Sequence, residues 1–351
     1  KGFPAGEISG EKWHALPPGH DPATGKQLKT STANANYTAV FGKGLSELMT
    51  EKKDVVALTA AMPSGTGTSV IAKNHPMRFF DVGIAEGHAI TMAAGMATRG
   101  IRPIAAIYST FLQRAYDSII HDVAIQRLPV IFAMDRAGLV GEDGETHAGL
   151  YDIAYMLAVP NMTVTAPKNG HEMLGLLRAA VDHAQGPFSL RYPRDASPDI
   201  PPAMSEIEAV PYRTWEVVRQ GTPNDVAILA VGTMVLPSLA AAEALAAEGL
   251  SVTVVNCRYL KPYDELTLAA IVADHRQLLV VEEGTVVNGF GAYMASVVAT
   301  MDPGVRVIAH GVPDRIIYAA SRARQLAACG LDAAGIAERV RALHESEAVA
   351  G

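Results

Sequence analysis

Hydrophobic positions along this chain follow two alternating patterns from residue 37 onward. Short apolar runs alternate with stretches in which apolar side chains recur every three or four positions. The short runs are typical of buried strands, and the longer spacing is typical of helices with one buried face. Because the two kinds of segment follow one another in turn, the sequence predicts an α/β fold with parallel sheets covered by helices on both faces.

The predicted elements follow from these two patterns. Strands are predicted at residues 55–58, 103–108, 129–134, 162–165, 189–192, 226–231, 252–256, 278–281 and 305–309. Helices are predicted at residues 37–51, 112–123, 236–248, 264–274, 289–300 and 332–345, with another beginning near Glu86. These elements form two doubly wound units in one chain.

Proline and glycine mark the boundaries of the units. Residues 1–36 are rich in both and predict an arm, in which Trp13 and His14 belong to a small apolar island. Prolines concentrate again in residues 196–224, which predicts a linker with a short irregular or β segment. The predicted units therefore cover residues 37–195 and 225–351.

Composition narrows the class of protein. The 351 residues, 49% of them hydrophobic, are enough for two domains. A net charge of −7 without a basic run gives no indication of nucleic-acid binding, and no apolar stretch reaches membrane-spanning length. Two cysteines do not make a disulfide framework and suit a reducing compartment, so we expect a bacterial cytoplasm. The first residue is Lys, so a targeting segment could precede it, and the plastid stroma stays open.

One carboxylate lies where a predicted strand gives way to a helix. Phe80, Val82 and Ile84 alternate as at the end of a strand, and Glu86 follows at the start of the helical spacing. Ligands of open α/β sheets bind at the carboxyl ends of the strands. Desolvation by apolar neighbours would raise the pKa of Glu86 there, which suits a proton relay. The structural alternative is that Glu86 only favours the positive end of its helix.

Further polar and aromatic side chains follow the next strand. Tyr108, Phe111 and Arg114 come just beyond the carboxyl end of the strand predicted at 103–108. An exposed Phe at such a position can stack on a flat ring such as a pyrimidine. The alternative is a solvated helix face with a lattice of salt bridges.

Two more strand exits carry charged side chains. The loop after residue 134 supplies Arg136, Asp143 and His147, and Arg194 follows the strand predicted at 189–192. Two arginines on neighbouring exits could clamp a phosphate. The alternative for residues 141–144 is an ordinary polar turn. Each signal is weak alone, but four at successive exits of one sheet favour a ligand site.

Several common sites are not indicated. The sequence has no Walker motif, no dinucleotide fingerprint and no cysteine and histidine spacing typical of zinc, so we predict no metal ligands in this chain. The glycine-rich residues 64–68 could bind an anion through backbone amides, although a simple turn is the stronger interpretation. Glu282, Glu283, Gly289 and Gly291 lie at a strand exit of the second unit, where we expect a structural role at a dimer interface.

At these positions the sequence resembles the 1-deoxy-D-xylulose-5-phosphate synthases, thiamine-diphosphate enzymes of the transketolase superfamily. The motifs that carry the resemblance are Phe80–Ala89, Tyr108–Asp117, His121–Gln126 and Asp135–Gly141, with Lys12–Ala15 and His20–Gly25 in the arm. The resemblance extends over essentially the whole chain. It implies that the first unit is a pyrimidine-binding transketolase-like domain and the second a transketolase C-terminal-like domain.

The resemblance also implies roles for individual residues. The implied cofactor contacts are Glu86, Phe111, Arg114 and Ile84, and the implied substrate contacts are Tyr108, Arg136, Asp143, His147 and Arg194. Glu86 would hydrogen-bond N1′ of the cofactor's aminopyrimidine, and Phe111 would stack on that ring. His14 and His147 would join Glu86 as catalytic residues.

The implied reaction condenses pyruvate with D-glyceraldehyde 3-phosphate, with loss of carbon dioxide, to 1-deoxy-D-xylulose 5-phosphate. That product leads to isoprenoid precursors, thiamine and pyridoxal. Members of this family hold Mg²⁺ and the cofactor's diphosphate with an N-terminal domain, which this sequence does not match. We therefore expect that domain to be a partner or a separate fragment, and the complete units to form a homodimer.

Two alternatives stay open at this stage. The same two-domain layout occurs in the beta subunit of 2-oxo-acid dehydrogenase decarboxylases, although the Tyr108 run and the His14 arm favour the synthase. A non-catalytic assembly protein of the same fold is the other alternative. The joint presence of Glu86, Phe111 and Arg136 argues against it.

Overall fold

The chain folds into two sheets, each flanked by helices. The computed structural model describes Glu7, Asp21, Thr24 and residues 34–350. The strands are β1 (Val55–Thr59), β2 (Phe79–Asp81), β3 (Arg102–Tyr108), β4 (Ile131–Asp135), β5 (Thr163–Thr165), β6 (Phe188–Arg191), β7 (Glu216–Arg219), β8 (Ala227–Ala230), β9 (Thr253–Asn256), β10 (Tyr259–Lys261), β11 (Gln277–Thr285) and β12 (Arg306–Val312). This arrangement confirms the predicted α/β fold class.

The helices alternate with these strands. They are α1 (Tyr37–Glu51), α2 (Ser69–Asn74), α3 (Glu86–Ala97), α4 (Ser109–Leu112), α5 (Tyr116–Ser118), α6 (Asp152–Ala158), α7 (Gly170–His183), α8 (Val235–Ala246), α9 (Glu265–Asp274), α10 (Phe290–Met301), α11 (Arg322–Ala328) and α12 (Ala333–Ala350). The sequence patterns missed α2, α6, α7 and α11. Short side chains begin several helices: Asn36 accepts a hydrogen bond from the Ala39 N–H at the start of α1, and Asp264 accepts one from the Thr267 N–H at the start of α9.

The first sheet has the strand order β10-β5-β6-β4-β3-β1-β2. Its strands β2, β1, β3, β4, β6 and β5 are parallel, so their carboxyl ends meet at one edge. Tyr108 at the end of β3 pairs in register with Asp135 at the end of β4, and Met134 pairs with Arg191 at the end of β6. This edge therefore gathers the strand exits at which the sequence predicts a site.

The strand β10 was not predicted. It belongs to the second half of the chain, yet it pairs antiparallel with β5 and completes the first sheet. The Trp215 indole N–H donates to the Tyr259 carbonyl (2.6 Å), and Lys261 Nζ donates to the carbonyls of Leu157 and Val159 (2.7 Å each). Three residues are too few to show a strand period in the sequence, which explains the omission.

The second sheet has the strand order β12-β11-β8-β9-β7. Its first four strands are parallel, and β7 pairs antiparallel with β9 at the edge. The strand β7 lies within residues 196–224, where the sequence predicts a linker with an irregular or β segment. Both sheets therefore carry one antiparallel strand at an edge, in addition to the predicted parallel strands.

One buried carboxylate connects the two halves of the chain. Glu283, which is 1% exposed at the end of β11, accepts the Leu139 N–H (2.9 Å) and the Thr233 hydroxyl (3.0 Å). Arg322 forms an ion pair with it, and Arg191 donates to the Glu283 carbonyl (3.0 Å). Both carboxylate oxygens of Glu283 therefore have partners, as a buried charge requires.

Removing the Glu283 carboxylate should destabilise the chain strongly. In Glu283→Ala the Leu139 N–H and the Arg322 guanidinium lose their buried partner, and breaking such a pair costs roughly 3–5 kcal/mol. Urea unfolding followed by far-UV circular dichroism measures this loss.

The matched control is Glu265→Ala. Glu265 pairs with Arg213 through a side chain that is 65% exposed, and such surface pairs contribute about 0–1 kcal/mol. Equal losses in the two variants would contradict the role given to Glu283.

Candidate active site

Glu86 is the first residue of α3 and is almost completely buried. Its side chain is 2% exposed, and the Nη1 of Arg114 lies 3.0 and 2.8 Å from its two carboxylate oxygens. Arg114 itself is 62% exposed, so the pair connects a buried acid to solvent. Both residues lie at the edge of the first sheet where the strands ending at Asp81, Tyr108, Asp135 and Arg191 meet, which we call the rim. The structural alternative of a simple helix-end charge does not account for this specific pairing, because Glu86 is bonded to a side chain from another segment.

The segment that supplies Arg114 is helical but irregular. The sequence predicts one helix over residues 112–123, whereas the structure has α4, a 3₁₀ turn (Gln113–Ala115), α5 and a π-helical turn (Ile119–Ala124). Such changes of helix type often mark functional sites. Arg114 lies within this 3₁₀ turn, and from there its guanidinium contacts the Glu86 carboxylate.

Three rings form a continuous aromatic contact at the exit of β3. Phe111 stacks on Tyr108 with ring centroids 5.5 Å apart and meets the His147 ring edge-on at 5.3 Å. The His147 Nδ1 lies 2.9 Å from the Thr146 hydroxyl. The β3 exit and the loop after β4 thus place an aromatic face and an imidazole side by side.

Arg136 occupies a constrained position next to these rings. Its φ is +59°, a left-handed conformation that costs a non-glycine residue energy and is frequent at functional sites. Its guanidinium lies 3.9 Å from the centroid of the Tyr108 ring, and its Nη1 donates to the Gly65 carbonyl (2.5 Å). Its Nε is buried without a hydrogen-bond partner among the described residues. A buried donor of this kind indicates a missing acceptor.

A second arginine, Arg194, contacts the same carboxylate as Arg136, that of Asp143. The Asp143 Oδ2 is 3.0 Å from the Arg194 Nε and 3.7 Å from the Arg136 Nε. Arg194 also lies 3.7 Å from the exposed Glu142. The two guanidinium groups of neighbouring strand exits are therefore close enough to contact one anion.

The glycine-rich turn at residues 64–68 packs closely against Tyr108. A Cβ at Gly65 would lie 1.7 Å from the Tyr108 hydroxyl oxygen, so the turn makes room for that phenol. Burial raises the pKa of Tyr108 to about 12, with Arg136 acting in the opposite direction. The phenol is consequently neutral near pH 7 and can donate or accept a hydrogen bond.

Asp135 is the site residue that the sequence patterns missed. It is fully buried at the end of β4, where it accepts from the Thr38 hydroxyl (2.7 Å) and from the Arg136 Nη1 (2.9 Å). Burial raises its pKa to about 6, against the lowering effect of Arg136. Its place at the last position of a strand was the available signal, but its partner Thr38 lies 97 residues away in the sequence.

The remaining predicted residues lie elsewhere or outside the described part. Ile84 lies beyond the end of β2 with 79% of its surface exposed, so it is accessible. His14 lies outside the described residues. Glu282 is buried within the chain, where it accepts the N–H groups of Phe290 and Gly291 (2.8 Å each) at the start of α10.

The chain matches two family descriptions in sequence. Residues 33–199 match "Transketolase, pyrimidine binding domain", and residues 213–336 match "Transketolase, C-terminal domain". Among solved structures, "Split gene transketolase, inactive beta4 tetramer" aligns with a TM-score of 0.78 and 30% identity over 88% of this chain and 98% of that one. A Pichia stipitis transketolase aligns with a TM-score of 0.73 over 89% of this chain and 46% of that one, at 17% identity, which bears on the fold alone.

The fold and these matches show that the chain belongs to the transketolase family. Within that family its curated relatives include 1-deoxy-D-xylulose-5-phosphate synthases, as the motifs predicted. Synthase 1 of Geobacter sulfurreducens is 45% identical over 97% of this chain and 53% of its own length. The Aquifex aeolicus synthase is 46% identical over 97% of this chain and 53% of its own length. The chain thus spans about half the length of these relatives.

The raised pKa of Asp135 should make the stability of the chain depend on pH. Because burial raises its pKa from an ordinary value of 3.8 to about 6, the folded chain holds this proton more tightly than the unfolded chain. The resulting stabilisation is complete below pH 3.8 and is lost as the pH rises through 6. In Asp135→Asn this loss should disappear. Urea midpoints of both proteins between pH 4 and 7 measure the difference, with the exposed Asp274→Asn as control.

Proposed function

We propose that this chain is the catalytic core, without its diphosphate-binding part, of a thiamine-diphosphate enzyme that condenses pyruvate with D-glyceraldehyde 3-phosphate. The product is 1-deoxy-D-xylulose 5-phosphate. The observation that carries the proposal is the buried Glu86 carboxylate, held by Arg114 at the rim where the strand exits gather. The synthase names of the relatives support the reaction and favour it over the dehydrogenase-subunit alternative.

The residues at the rim fit the pyrimidine half of thiamine diphosphate. The cofactor supplies a carbon nucleophile once its thiazolium ring loses a proton. Glu86 offers a carboxyl group for a ring nitrogen, and Phe111 offers an aromatic face for the pyrimidine. In this proposal Arg114 holds the Glu86 carboxylate in place, and the exposed Ile84 lies against the cofactor. His147 and His14 move protons to and from the substrates.

The arginine pair fits the phosphate of the aldehyde substrate. Arg136 has a buried Nε without a hydrogen-bond acceptor in the described part of the chain, and Arg194 lies on the adjacent strand exit. Guanidinium groups bind phosphate oxygens in pairs of charge-assisted hydrogen bonds. Tyr108 supports Arg136 through its ring and can hydrogen-bond the substrate through its neutral hydroxyl. We assign Asp143 to the same substrate pocket.

The diphosphate and Mg²⁺ are, in this proposal, held by a segment outside this chain. Among the described residues, no group of three or more His, Cys, Asp or Glu side chains could hold a metal ion. The relatives are about twice as long as the part this chain matches. A partner segment or fragment would complete the site. We further propose that complete units form a homodimer in a bacterial cytoplasm and supply isoprenoid and thiamine precursors.

No helix in the described part of the chain has the length and apolar character needed to span a membrane.

A chimera tests the proposed reaction. This chain replaces the matched 53% of the Geobacter sulfurreducens synthase 1, and the fusion is assayed with pyruvate, D-glyceraldehyde 3-phosphate, thiamine diphosphate and Mg²⁺. We expect formation of the five-carbon phosphate and release of carbon dioxide, both dependent on each substrate. The intact Geobacter enzyme is the positive control. A folded chimera that binds the cofactor but forms no product would contradict the proposal.

Substitution of Glu86 tests the role of its proton. In the chimera, Glu86→Gln keeps the shape of the side chain but removes the acid, so kcat should fall by about 10²- to 10⁴-fold, the usual contribution of a proton-transferring group. Glu243→Gln, on an exposed position of α8, should leave kcat unchanged. Full activity of Glu86→Gln would exclude the proton role.

A further inference from the structure

The two arginines assigned to the substrate phosphate are already paired with a carboxylate of their own chain. The Asp143 Oδ2 lies 3.0 Å from the Arg194 Nε and 3.7 Å from the Arg136 Nε. We propose that Asp143 is an internal competitor for this arginine pair, which a phosphomonoester must displace in order to bind. The inference rests on the proposed function, because it takes Arg136 and Arg194 as the phosphate site.

The distances show that Asp143 fills the site incompletely. Its contact with Arg194 is a hydrogen-bond distance, but 3.7 Å to Arg136 is an ion pair without a hydrogen bond. The Arg136 Nε accordingly has no hydrogen-bond acceptor among the residues that the structure describes. Asp143 thus leaves one buried donor of the arginine pair unsatisfied. A tetrahedral phosphate presents three oxygens and can satisfy both guanidinium groups.

The charges near the arginine pair require a displacement rather than a shared site. Arg136 also pairs with the buried Asp135 at 2.9 Å, and Arg194 also faces Glu142 at 3.7 Å. Three carboxylates, including Asp143, therefore already face the two cations. A phosphate with about two negative charges, placed within 4 Å of an ionised Asp143, would be repelled strongly. Asp143 and the phosphate consequently exclude each other from the arginine pair.

The backbone around Asp143 allows its side chain to move away from the arginines. Asp143 ends a 3₁₀ turn (Gly141–Asp143), and the adjoining Gly141 and Gly144 have φ values of +68° and +76°. Gln325 fixes one end of the turn by accepting the Gly141 N–H (2.8 Å). The Asp143 side chain is 27% exposed, so its carboxylate can move into water when it leaves the arginines. Gly144, which follows Asp143 directly, gives the backbone freedom for that movement.

The functional consequence is selectivity among anions. An anion binds only if it offers the arginine pair more than Asp143 does. Anions with a single negative charge, such as acetate or chloride, do not displace Asp143 from the arginine pair. A phosphomonoester displaces it because its oxygens contact both guanidinium groups.

Titration with inorganic phosphate tests this inference on the chain as it stands. Isothermal titration calorimetry at constant ionic strength, balanced with chloride, measures the phosphate Kd. Asp143→Asn should bind phosphate more tightly by about three- to tenfold, since the competing ion pair is half-buried. Asp143→Ala should show the same direction of change, which guards against a specific effect of the amide. Far-UV circular dichroism and thermal unfolding confirm that each variant is folded.

The control variants separate the competing explanations. Glu142→Gln removes a neighbouring but 70% exposed carboxylate and should change the Kd by less than about twofold. Arg194→Gln should weaken phosphate binding. The inference is overturned if both Asp143 variants bind phosphate with an unchanged or weaker affinity, or if neither binds it.

The phosphate titration needs no cofactor, no additional segment and no turnover. An inactive chimera together with tighter phosphate binding by Asp143→Asn would therefore contradict the proposed reaction and leave the role of Asp143 standing. An active chimera with unchanged phosphate binding would contradict the role of Asp143 alone.

Discussion

Glu283, paired with Arg322, is the residue through which the second sheet holds the loop after β4 and the end of β6. Glu283 lies in the second sheet, but its carboxylate binds the Leu139 N–H in the loop that leaves β4. The same loop continues to Asp143 and His147, and Arg191 at the end of β6 donates to the Glu283 carbonyl. The second half of the chain thus fixes two of the strand exits that form the candidate site. A role confined to dimer contacts would not explain this placement.

The order of the parallel strands determines which side chains meet. Tyr108 and Asp135 are register partners at the ends of β3 and β4, so Arg136 begins next to the Tyr108 ring. The β6 exit carries Arg194 to the same edge. Side chains that are separated by tens of residues along the chain therefore lie together at one edge of the first sheet. This common geometry of open α/β sheets needs only strand adjacency to assemble a site.

The sequence predicts those parts of the structure that depend on local periodicity. It predicts α1 with its observed bounds, and it places Glu86 at the start of a helix that follows a strand. It also places Phe111 just beyond the end of β3, although it does not predict the contacts of Phe111 with the Tyr108 and His147 rings. These predictions depend on neighbouring residues along one segment.

The contacts that the sequence patterns missed are long-range or irregular. Asp135 is hydrogen-bonded by Thr38 from α1, and Arg114 lies in a 3₁₀ turn within an otherwise helical segment. The left-handed backbone of Arg136 is imposed by its surroundings, since its residue type does not favour it. None of these features has a periodic signature, so only the three-dimensional structure reveals them.

The position of β10 constrains how the chain can fold during synthesis. The first sheet is complete only when Tyr259–Lys261 pairs with β5, although β5 itself ends at Thr165. During synthesis, the edge of β5 therefore stays unpaired until almost a hundred further residues, up to β10, have been made. Unprotected edges of this kind recruit other strands, including those of neighbouring nascent chains. Dividing the chain between β5 and β10 would therefore leave the edge of β5 unpaired in the first fragment.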